Sequence, residues 1–112
     1  MTNNTELVDG QSGLVPNSLQ RLADYLELSL DKAASIVMLR DAGGVCMVYL
    51  GDPSGQREDL SQIATIDSSL ANEMLELTRS GANHMAIGSQ DYRFVRSFTT
   101  VGVTAAIVFS TD

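Results

Sequence analysis

Three places in the chain hold residue types that could do chemistry: the stretch Asp41-Ala42-Gly43-Gly44, the lone Cys46 and the lone His84. A glycine loop that cradles phosphate must lead into a helix, whose N-terminal amides hold the anion; a Walker-type loop adds a Lys-Ser/Thr pair. Here the glycines stand between two apolar runs, AASIVMLR (33–40) and VCMVYL (45–50), and no such pair follows. β-Branched runs joined by glycines free to take positive φ predict a β-hairpin, so the stretch reads as a bend. A Cys–His nucleophile pair needs hydrogen-bond reach and an orienting third group. Cys46 sits inside an apolar run, where cysteine behaves as a small hydrophobe. One His and one Cys are also too few for a zinc site of four such ligands. No catalytic residue, cofactor or metal ligand is therefore expected. Glu73 and Glu76, three apart, read as a solvated helix face. Arg93 and Arg96 are the only basic cluster on an expected strand, either solvated, paired with acids or turned toward an acidic partner.

Composition narrows the classes further. The 112 residues carry fourteen acids against seven bases, a net charge of −7, with a single lysine. Nucleic acid and anionic membrane surfaces both demand a cationic face, so neither is an expected partner. Apolar residues make up 44% and charged residues 19%, enough for one folded domain with one core. The N-terminal stretch MTNNTELVDGQSG has no basic start and no apolar run, and no segment approaches the roughly 20 apolar residues of a membrane span. A lone cysteine forms no internal disulfide. The expectation is a cytoplasmic protein.

The elements that must position these residues follow from periodicity. Residues 1–13 read as a polar tail, and 14–112 as the domain. Asn17, with Gln20 three later, predicts a helix start over residues 18–30. Its buried stripe is Leu19, Leu22, Ala23, Leu26 and Leu30. The hairpin 33–50 follows, then a loop, GDPSGQRED (51–59). A second helix is expected from Asp59 to Ser80, stopped by Gly81. TIDSSL in its middle has weak helix propensity, so a kink, or a restart capped by Asp67 or Ser68, stays open. Period-two alternation then gives strands at 84–90, 92–99 and 103–110. In the middle one Tyr92, Phe94, Arg96 and Phe98 share a face. On an ideal wheel the apolar residues of the second helix span about half its circumference, wider than the ~100° stripe one sheet needs. Another subunit, the first helix or the loop 51–58 must cover the excess.

The order of these pieces resembles the Roadblock/dynein light chain family. The resemblance rests on LQRLADYL, the hairpin SIVMLRDAGGVCMVYLGD, the helix LSQIATIDSSLANEMLELTRSG, and the closing HMAIGSQDYRFVRSF and VTAAIVFS, about 95 residues in all. It implies an α+β fold, a five-stranded antiparallel sheet with helices in the order α-β-β-α-β-β-β (Roadblock/profilin-like). It also implies a dimer in which second helices pack together and third strands pair edge to edge. The surfaces would be Ile66, Leu70, Glu73, Met74 and Leu77 on the helix, and Met85 and Ile87 on the strand. The implied role is non-enzymatic: a homodimer, or a pair with a paralogue, that regulates or scaffolds a small Ras-like GTPase. The competing reading is a small-ligand sensor with a pocket between sheet and helices.

Overall fold

The computed structural model describes residues 15–40 and 43–111. The expected 1–13 tail, Asp41 and Ala42 lie outside them. Helix α1 (Asn17–Lys32) is followed by strands β1 (Ser35–Arg40), β2 (Val45–Gly51) and β3 (Ser61–Asp67). Helix α2 (Ser68–Leu77) then leads to β4 (Gly81–Ile87), β5 (Gln90–Val101) and β6 (Thr104–Thr111). All strands join one antiparallel sheet in the order β3-β2-β1-β6-β5-β4.

The α+β class with one antiparallel sheet and two helices is as expected, but the sheet has six strands where five were expected. The extra strand comes out of the expected second helix. Residues 61–67 are not helical; they pair with β2 from Leu50↔Ser61 to Val45↔Asp67. The register shifts between Val48 and Tyr49, which pair with Ala64 and Gln62 and leave Ile63 as the extra residue of a β-bulge. Ile63, Ala64 and Ile66 consequently all pack on the helix side of the sheet. A bulge thus lets a strand place residues three apart on one face, imitating helical spacing. The helix restarts at Ser68 with Asp67 at the N-cap position, though the Asp67 side chain makes no capping hydrogen bond.

The other departures are local. The position before α1 is Pro16, without a side-chain cap, and Asn17 is already helical. Proline has its φ pre-set there and the helix backbone bonds back to its carbonyl, so no Asn cap is needed. On α1, Leu22, Ala23 and Leu26 are buried as expected, joined by Tyr25, while Leu30 is 54% exposed. The hairpin bend is as expected, with Gly44 in the left-handed region at φ 79°.

Both helices pack on one face of the sheet. Leu22, Leu26, Ala71 and Met74 close over Ile36, Val48, Phe94 and Phe109. The rings of Phe94 and Phe109 meet edge to face at 5.8 Å, the geometry favoured by aromatic quadrupoles. On the opposite face Val37, Leu39, Tyr49, Val101 and Ala106 form a second cluster under Leu60. The absence of a side chain at Gly51 allows this: a Cβ there would stand 2.7 Å from Leu60 Cδ2. Phe109 is fully buried at the centre of the main core. Phe109→Ala should cost about 3–5 kcal/mol of unfolding free energy in a denaturant titration, through lost transfer energy and the cavity left behind.

Candidate interaction surface

The fold keeps the two reactive residue types apart. Cys46 faces the helices on β2, while His84 faces the opposite side on β4. Four strand spacings separate β2 from β4, about 19 Å at 4.8 Å per strand. His84 Nε2 instead lies 3.3 Å from Asp91, with both side chains at least half exposed. Burial pushes the Cys46 thiol above its ordinary pKa, with Arg40 opposing the shift. No group of three or more His, Cys, Asp or Glu side chains among the described residues could hold a metal ion.

Of the residues the resemblance placed at a dimer surface, three belong to the chain's own core. Ile66 lies inside, opposite Cys46; Met74 is 0% exposed; Met85 is buried opposite Tyr92. Their apolar surface is already covered by α1 and the sheet, because α2 is only ten residues long and its inner face is fully used. The half-circumference argument for a second subunit therefore loses its premise. Leu70 and Ile87 are half-buried, while Glu73 and Leu77 reach solvent, Leu77 with 47% exposure. Ile66, Leu70 and Glu73 line one open cleft of about 730 Å³ between the start of α1 and the outer side of α2. Its charged residues are Arg21, Asp67, Glu73 and Glu76, so it is a polar hollow rather than a greasy seam.

Among the described residues the outer edge of β4 has no neighbouring strand. In a two-residue hairpin, the residues flanking the turn form a hydrogen-bonded pair. Ile87 and Gln90 flank Gly88-Ser89, so the odd-numbered residues of β4 bond to β5 and Ala82, His84 and Ala86 aim their backbone groups outward. Arg79 Nε donates to the Ala82 carbonyl at 3.1 Å, consistent with that direction. Asn83 braces the preceding turn, its amide donating to the carbonyls of Arg79 at 2.8 Å and Gly81 at 3.1 Å. The free edge is thus His84–Ile87. It carries no proline or lysine, the usual devices against unwanted pairing. The opposite edge of the sheet is blunted: β3 carries the bulge, and the Gln62 amide donates to the Ala64 carbonyl and to Thr65 Oγ1.

The two arginines of the basic cluster lie on opposite faces, as the alternation along the strand requires. Arg93 is exposed beyond β5, whereas Arg96 reaches under the end of α2. Arg96 Nη1 donates to the carbonyls of Leu75 at 2.8 Å and Thr78 at 3.1 Å, and Nη2 reaches Ser80 Oγ at 3.2 Å. A guanidinium there satisfies orphan carbonyls and sits at the negative end of the helix dipole. No local pattern announces this cap, which comes from a strand eighteen or more positions downstream of the carbonyls it serves. Phe98, also unforeseen, is 58% exposed on the helix face, with the Arg96 guanidinium 5.4 Å from its ring centre.

No family model matches the chain, and no curated protein or solved structure matches it.

One hydrogen bond ties α1 to β5: Tyr92 OH donates to Glu27 Oε2 at 2.6 Å. That bond, helped by burial and by the Glu27 and Asp24 charges, pushes the Tyr92 pKa up to about 12. A pKa raised on folding favours the protonated phenol, so the contribution is complete below pH of about 10 and lost as pH climbs through 12. An ultraviolet titration should show one late-ionising tyrosine, and Glu27→Ala should move its midpoint downward. The buried Cys46 thiol should react with dithionitrobenzoate only as fast as the native protein opens, and Cys46→Ser should leave partner binding intact while lowering stability, because it buries a hydroxyl among apolar side chains. A fast-reacting native thiol would contradict this placement.

Proposed function

We propose that this chain is a non-enzymatic interaction module, Roadblock-like in build, that pairs with a second copy or a paralogue. In that form it regulates or scaffolds a small Ras-like GTPase in the cytoplasm. The observation that carries the pairing is the edge His84–Ile87 of β4, which has no neighbouring strand among the described residues and carries no lysine or proline. A strand edge of this kind leaves backbone donors and acceptors without protein partners, and a second copy running antiparallel satisfies them on both chains at once. The six strands of each chain then form one continuous sheet. Ile87 and the exposed Leu77 supply apolar area beside the join, while Ile66, Met74 and Met85 serve the core of each subunit.

The GTPase role rests on the order of elements. Setting β3 aside, helix, hairpin, helix and three-stranded meander follow one another as the resemblance requires. The acidic balance of the chain is compatible with a protein partner and unfavourable for nucleic acid. Among the described residues, no helix is long and apolar enough to cross a membrane.

Light scattering should give the mass of two chains. Ala86→Pro deletes an outward-facing N–H without touching the β4–β5 bonds, so it should yield one chain per particle while the melting temperature shifts little. A wild-type mass of one chain would end the pairing proposal. A pull-down from the native cytosol should recover a Ras-like GTPase in amounts that differ between a non-hydrolysable GTP analogue and GDP. Consistent failure to recover one would remove the GTPase from the reading and leave the dimer untouched.

A further inference from the structure

A second surface lies on the helix side of the sheet, beyond the far flank of α2. The helix starts beside β3 and ends beside Gly81 of β4, so it crosses the sheet diagonally. It leaves uncovered a corner where β1 ends and β6 begins. A hollow of about 260 Å³ occupies that corner, walled by Met38, Leu75, Phe98, Ala105 and Ile107 with Arg40 at its rim.

Three observations define what fits there. The walls are apolar, and Phe98, at 58% exposure, leaves the hollow open on one side. The charges beside it are cationic. Arg40 borders it, held by a hydrogen bond to Asn72 Oδ1, and Arg96 stands 5.4 Å from the Phe98 ring. Among the described residues no carboxylate lies within ion-pair distance of either arginine, in a chain with twice as many acids as bases. The third observation is a strand edge. β4 pairs with β5 only from Gln90 to Arg96, so among the described residues Ser97–Val101 have β6 on one side and no strand on the other. By the same alternation that orients β4, Phe98 and Thr100 aim their backbone groups at that open side.

We infer that this corner docks an extended, acidic segment of a partner protein. The segment adds its backbone to the free edge of β5 at Phe98 and Thr100 and drops one bulky apolar side chain between Leu75 and Phe98. A flanking carboxylate meets Arg40, with the helix-capping Arg96 adding to the positive potential of the rim. Strand addition of this kind takes affinity from main-chain bonds and specificity from a pocket for alternate side chains. A free small molecule fits less well, because such ligands have most of their surface buried, and here one wall stands open. The surface is distinct from the β4 edge, so the inference does not rest on the dimer.

The test starts from random peptides displayed on phage and selected on the intact wild-type protein. Enriched sequences should share a large apolar residue with Asp or Glu beside it. A synthetic peptide of the selected sequence should shift the amide resonances of Phe98 and Thr100. Its binding should disappear in Ala105→Trp, which fills the hollow from an exposed position. Binding should weaken by about tenfold or more in Arg40→Glu, the order expected for losing a charge-assisted contact. The resonance shifts on the wild-type chain keep the test decisive even if a variant folds poorly. Absence of enrichment, a basic consensus, or shifts confined to other elements would overturn the inference. So would displacement of the peptide by dodecanoate, which marks a small-ligand site, or a change in light-scattering mass in Ala105→Trp, which marks a second copy as the occupant.

Discussion

Residues 61–67 hydrogen-bond along the outer side of β2, and what that pairing takes from the following helix governs most of the surface. Left unpaired, β2 would expose its backbone groups along one side. Once β3 fills that place, only ten residues remain for α2 before the chain must turn into β4. A ten-residue helix rises about 15 Å, too short to roof a six-stranded sheet roughly 24 Å wide. Hence α2 lies diagonally, buries Ala71 and Met74 over the centre and leaves the corner at Phe98 open.

The short helix also ends where its carbonyls need help. Its C-terminus falls above β5 rather than in solvent, and Arg96 supplies the donors there. This explains why a charged residue occupies the helix face of a strand whose neighbours on that face are Phe94 and Phe98. The same side chain then stands over the Phe98 ring, so one arginine both closes the helix and gives the open corner its positive rim. On the other face of the sheet neither α1 nor α2 packs, and Leu60 folds over Val37, Leu39 and Tyr49 instead. Leu60, at the end of the connection between β2 and β3, therefore shields the second face of β1 and its neighbour β2.

Much of this was legible beforehand. The buried residues Leu22, Ala23 and Leu26 of α1 and the hairpin bend at Gly44 appear where their local patterns put them, and the three closing strands lie near theirs, with the first turn moved to Gly88-Ser89. Local geometry is sufficient in these cases: a glycine at positive φ needs no distant partner, alternation along β4 and the first part of β5 reflects one buried and one solvated face, and the continuous apolar run of β6 reflects burial on both. The stretch 59–80 was legible only as apolar, because Ile63 and Ile66 are three apart and their spacing fits a helix. The bulge at Ile63 places the same residues on one face of a strand. Its presence is fixed by β2, the strand lying beside it, and nothing within the stretch itself records that neighbour.

By itself the sequence determined the class, an acidic α+β chain with its first helix, its hairpin and its three closing strands near their places. Those properties depend on composition and short-range periodicity. Only the tertiary structure decided that Ile66, Met74 and Met85 point into the core, that Arg96 caps a helix, and that His84–Ile87 lies on an outer strand with Phe98 exposed. Burial and edge exposure depend on which elements lie alongside one another. Strand order and helix length set that arrangement, and neither is a property of any window of residues.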